Sequence, residues 1–163
     1  MQATVVVIAA SGTAAAALFV AMQRRLGRLK PNLFWAQVTF SERRFRAVVE
    51  QWGSEGLARF RSHFVLDYCF LACYGVFGFT LGLWLQSGTT AAPLVRSAAM
   101  WALPAAAAFD AIENVFHQRF AVAEPYSLPK IAFFLAGVSS SIKWGLSLAF
   151  PCLATWVALQ HAA

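Results

Sequence analysis

The chain predicts an all-α membrane bundle of four transmembrane helices, with one amphipathic helix on the cytoplasmic side, folded as a single domain over 1–163. Three observations carry this. Of 163 residues, 60% are apolar and only 12% charged, with a mean hydropathy of +0.60, values foreign to a soluble domain. Four apolar stretches, 3–22, 64–86, 98–119 and 131–156, each reach the ~20 residues needed to cross a ~30 Å hydrocarbon core. Nine of the thirteen Lys and Arg residues lie between positions 23 and 62, which marks that loop as cytoplasmic. The basic residues sit in one inter-helix loop rather than on a folded basic face, so nucleic acid is not an expected partner.

The first stretch is uncharged, and Arg24, Arg25, Arg28 and Lys30 follow it instead of preceding it. A cleaved signal peptide has the opposite order, so the segment reads as an anchor with its N-terminus outside. Lys30-Pro31-Asn32 then breaks the chain. Thr39-Phe-Ser-Glu42 has capping-box spacing, and Phe45, Val48, Val49 and Trp52 recur at i, i+3, i+4, i+7 opposite Arg43, Arg44 and Arg46. This is an amphipathic helix ended by Gly53. Arg43, Arg44, Arg46 and Trp52 are the candidates for holding it on anionic lipid headgroups; docking on the ends of the bundle is the competing expectation.

The second span carries His63, Asp67 and Tyr74 on one helical face. A short outer linker, 87–96, holds one basic residue. The third span is the most polar: Asp110, Glu113, Asn114 and His117 fall at i, i+3, i+4 and i+7, again one face. A carboxylate at mid-bilayer costs about 2.5–3.5 kcal/mol to insert, so two on one helix must face protein partners. The fourth span follows the turn Glu124-Pro-Tyr-Ser-Leu-Pro129 and Lys130. Within it Gly137, Ser141 and Gly145 form a small-residue seam, and Ser139, Ser140, Lys143 and Ser147 a polar arc. Trp84, Trp101 and Trp156 then meet the outer interface, so both termini are expected outside.

Counted at ~1.5 Å per residue from the cytoplasmic boundaries, Asp67, Glu113, Asp110 and Lys143 lie at increasing depth, and a lysine stem reaches back toward the interface. A pair between Lys143 and Asp110 or Glu113 is the first contact expected. Three acids against one lysine leave about two charges to balance. Protons on the acids, protonated His63 or His117, a bound cation, a cationic ligand or a basic residue of another subunit would each serve. His63 with Asp67 and Glu113 with His117 are i, i+4 pairs that could each offer two metal ligands, so a metal stays open; ferritin-type dimetal sites use a different spacing and more carboxylates. No cofactor is implied. The serines lack a Gly-x-Ser-x-Gly elbow, and no enzyme activity is expected. Cys69, Cys73 and Cys152 lie inside apolar stretches and read as buried free thiols.

Two function classes follow. The first is a site for a proton, cation or small cationic ligand formed by His63, Asp67, Tyr74, Asp110, Glu113, Asn114, His117 and Lys143. The second is an accessory subunit or assembly factor, in a homo-oligomer or a larger membrane complex. The runs Leu66-Asp67-Tyr68 and Asp110-Ala-Ile-Glu113-Asn114, with Trp52-Gly53 and Arg61-Ser-His63, resemble bacterial four-helix integral membrane proteins. That resemblance implies the four-span topology and a bacterial inner-membrane location, but no activity. The excess of Arg over Lys and the abundant Ala point the same way.

Overall fold

A computed structural model describes residues 2–160; the protein is 83% helical, with no strand among the described residues. The elements are α1 (Gln2–Leu26), α2 (Leu33–Gln37), α3 (Glu42–Leu85), α4 (Pro93–Phe120) and α5 (Lys130–Leu159). By length and composition α1, α3 and α5 could cross a membrane, three helices rather than the four expected. The difference is α4. It has 28 residues, but Asp110, Glu113, Asn114, His117, Gln118 and Arg119 crowd its second half and lower its hydropathy.

The long helices pack in chain order, α1 on α3, α3 on α4 and α4 on α5. No packed interface joins α1 to α5. The boundary of α3 departs from expectation: helix begins at Glu42 and runs for 44 residues, interrupted at Gly53 with φ 63° and ψ −172°. The amphipathic helix does end there, because glycine adopts this left-handed φ without a Cβ penalty. The positions after it, expected as loop, are helical. No proline interrupts them, and Glu55 pairs with Arg59 across one helical turn.

The capping box does not form. Ser41 is the N-cap without a side-chain bond, and Thr39 Oγ1 donates instead to the Ala36 carbonyl at 2.8 Å. Glu42 clasps the loop before α5: its Oε1 accepts from Tyr126 N–H and from Arg46 Nε, each at 2.7 Å. Burial works against ionisation of Glu42, but these two donors and the Arg46 charge outweigh it and hold the carboxyl below its usual range. Arg46 also donates to the Glu124 carbonyl at 3.0 Å.

The apolar face of the amphipathic helix is covered by protein. Phe45 and Trp52 are buried with Phe60, Phe64, Phe120 and Phe133 in one core at this end of the bundle, and Trp52 Nε1 donates to the Pro31 carbonyl at 2.7 Å. Trp52 and Arg46 are thus engaged within the chain rather than directed at lipid, while Arg43 and Arg44 remain exposed. Cys69 and Cys152 are exposed and Cys73 is half-buried, so the thiols are free but not buried as expected. Cys73 packs against the apolar cluster formed by Leu71, Tyr74, Ala102 and Leu103.

Helix approach is closest where the sequence reading did not place it. On α5, Gly137 receives Thr39 and Phe40 of the α2–α3 connection, and a Cβ on Gly145 would touch nothing within 4 Å. The tight crossing lies between α3 and α4, where a Cβ on Gly78 would run into Leu103 and one on Gly82 into the Met100 backbone. Gly82→Ala should therefore be less stable than Gly145→Ala by about 1–3 kcal/mol, since both gain the same helix propensity and only the first overpacks. Unfolding in detergent followed by circular dichroism measures the difference, and equal stabilities would show that the crossing tolerates a methyl.

Candidate functional site

The inward face of α4 places Asp110, Glu113, Asn114 and His117 in the interior, all buried. Lys143, one helical stripe along α5, reaches both acids: its Nζ lies 3.0 Å from Asp110 Oδ1 and 2.6 Å from Glu113 Oε2. The expected contact forms with both carboxylates at once. From α3, Asp67 Oδ2 accepts from Asn114 Nδ2 at 2.7 Å, and the Tyr74 hydroxyl donates to Asp110 Oδ2 at 3.4 Å.

The histidines close the two ends of this network. His117 Nδ1 is 3.3 Å from Glu113 Oε1, and its ring stacks on Phe45 with centroids 5.5 Å apart. His63 Nδ1 meets the Phe60 carbonyl, which must receive a proton. Its Nε2 stands 4.0 Å from Asp67 Oδ2, beyond hydrogen-bond range. All eight residues singled out in the sequence are thus brought together, held by α3, α4 and α5. Among the described residues no group of three or more His, Cys, Asp or Glu side chains is placed to hold a metal ion. The two i, i+4 pairs face different partners and do not converge on one point.

A feature that the sequence did not reveal opens beside this network. Asp67, Tyr74, Asp110 and Lys143 contribute to the wall of a cavity of about 870 Å³ between α1 and α5. Its remaining lining is mostly apolar, with Phe19 and Ala15 from α1, Phe70 and Phe77 from α3, and Trp144 from α5. Ser147 also lines it, one turn from Lys143 on the polar arc; that spacing was the one available signal. The α1 residues carried none, because an apolar side chain facing a cleft looks like one facing lipid.

Together these features define a small all-helical protein with membrane-compatible helices and a buried acid–lysine cluster beside a large cleft. No protein-family model matches the chain, and no curated protein or solved structure is detectably similar to it.

The shared lysine makes its removal informative. Lys143→Met leaves two buried carboxylates without their cation and should cost an amount near the ~3–5 kcal/mol typical of a broken buried pair. Adding Asp110→Asn and Glu113→Gln should restore much of the loss, making the cycle strongly non-additive. Additive losses in detergent unfolding would mean that the lysine contributes no coupling to either acid.

Proposed function

We propose that the protein spans the bilayer four times and binds a cationic species at the acid–lysine cluster. The observation that carries the reading is the charge imbalance: Asp110 and Glu113 share one ammonium, and among the described residues Asp67 has only His63, at 4.0 Å, and no Lys or Arg within ion-pair distance. Oδ2 of Asp67 is taken by Asn114, and the residue borders the cleft. A carboxylate in a low-dielectric interior either keeps a proton or holds a cation. Proton, inorganic cation and protonated amine are the species of this class.

Membrane insertion of α4 as the fourth span is supported by the sidedness of its side chains. Asp110, Glu113, Asn114 and His117 point inward, the exposed Ser97 and Arg119 lie near its two ends, and Trp101, Ile112 and Val115 are among those left on the outer face. A lipid-facing surface is expected to look this way. The positive-inside rule then puts residues 23–62 in the cytoplasm and both termini outside, with Arg43 and Arg44 free for anionic headgroups, and the Arg- and Ala-rich composition supports a bacterial inner membrane. A second reading, an accessory subunit or a homo-oligomer, is favoured by the face of α5 around Ser141 and Gly145, where Ser141 is exposed and Gly145 has open space.

Calorimetry on the protein in nanodiscs, with protons, potassium, methylammonium and longer alkylammonium ions as titrants, tests the site. Saturable binding of one of these, lost in Asp67→Asn, is expected. Failure of every cation to bind, with a stoichiometric partner chain co-purifying, would move the assignment to the second reading. Orientation is tested separately: a thiol reagent should label Ser87→Cys from outside, and labelling only from the cytoplasm would reverse the topology.

A further inference from the structure

We infer that the natural ligand of the cluster is an amphiphilic amine, an ammonium group carrying an apolar body, that enters sideways from the bilayer between α1 and α5. The inference rests on the cation-binding reading and names its substrate class.

Size is the first argument. A volume of about 870 Å³ lies within the ~300–1,000 Å³ range of pockets that take organic ligands, and a bare ion or methylammonium would leave nearly all of it unfilled. The second argument is the order of chemistry along the cleft. α1 runs antiparallel to α3, with Arg25 Nε donating to Ser62 Oγ at 3.0 Å, Phe19 on Phe70 at 6.0 Å, and Gly12 against Phe77. Arg28 and Lys30 therefore sit at the cytoplasmic mouth, Asp67 and Asp110 with Lys143 in the middle, and Gly12, Phe77 and Leu103 at the apolar far end. An ammonium at the acids with its tail toward Leu103 matches charge to charge and apolar to apolar.

The third argument is access. His117 is enclosed by Phe45, Phe60 and Phe120 on the side of the cytoplasmic loop, and the basic mouth repels a cation coming from that direction. α1 and α5 share no packed interface, and Phe19 and Trp144, which flank the opening, are both exposed. An amine dissolved in the bilayer meets the cleft without passing the arginines. Since its tail is already in an apolar medium, the selective free energy comes from its charge, and the neutral alcohol of equal length is the proper control.

Photo-crosslinking in phosphatidylcholine nanodiscs provides the test, with a dodecylamine carrying a diazirine in its chain and the matching dodecanol. Asp67→Asn keeps the side-chain volume, and Ser147→Trp fills the cleft without touching the acids. Saturable labelling of the peptides containing Phe19 or Trp144 by the amine is expected, at least tenfold above the alcohol, at least tenfold weaker in Asp67→Asn, and blocked in Ser147→Trp. Equal labelling by amine and alcohol would overturn the inference. So would displacement of the probe by methylammonium at its own saturating concentration together with undiminished labelling of Ser147→Trp, which would leave the cation site standing as one for small ions. If the amine fails to bind while protons or potassium still do, this inference alone falls; if no cation binds, both readings fail together.

Discussion

The interaction on which the rest of the structure depends is the bridge from Lys143 to Asp110 and Glu113. Charges removed from water are costly unless paired, so this bridge admits little freedom in how α4 and α5 are rotated about their axes. Once α4 turns these acids toward α5, Asn114 and His117 are carried inward on the same face. Asn114 then meets Asp67, and Tyr74 meets Asp110, which sets the rotation of α3 as well. Three helices are oriented by one polar network, and the small residues Gly78 and Gly82 let α3 come close enough to α4 to complete it.

α1 stands outside this arrangement. It offers no ionisable group to the cluster and packs on α3 through apolar and small side chains such as Gly12, which admits Phe77. α1 and α5 share no packed interface, so space remains between them as the cleft. The polar network is therefore packed between α3, α4 and α5 and bordered by a cavity, which is why Asp67 and Asp110 are both structural partners and part of the cleft wall.

The cytoplasmic end, in the proposed topology, is sealed by a different kind of packing. Phe45 of the amphipathic helix lies over His117, and Phe120 stacks on Phe133 at 3.9 Å. The left-handed turn at Gly53 lets this helix fold back over the bundle. The Glu42 clasp and the bonds from Arg46 and Arg61 to carbonyls near the start of the α4–α5 loop hold the layer in place. Arginines that looked like lipid anchors in the sequence thus split into two groups, because a guanidinium with several donors satisfies loop carbonyls as readily as headgroup phosphates.

The sequence by itself determined the four long apolar helical segments, the amphipathic helix up to Gly53 and the membership of the cluster, but not the short α2. The i, i+3, i+4, i+7 spacing of Asp110 to His117 and the single intramembrane-type lysine left few ways to bury the charges, and Lys143 does bridge the two acids. It also located the break at Gly53, since a lone glycine closing an amphipathic repeat is a local signal. Only the tertiary structure decided the helical run after Gly53, the docking of Phe45 and Trp52, the outward faces of Cys69 and Cys152 and the seam at Gly78 and Gly82. Each of these depends on which face meets a neighbour, and an apolar face reads the same whether it meets lipid or protein. Apart from the Lys143–Ser147 spacing the cleft was beyond sequence, because it arises from a packed interface that α1 and α5 do not form, and periodicity records what a helix buries but not what it leaves apart.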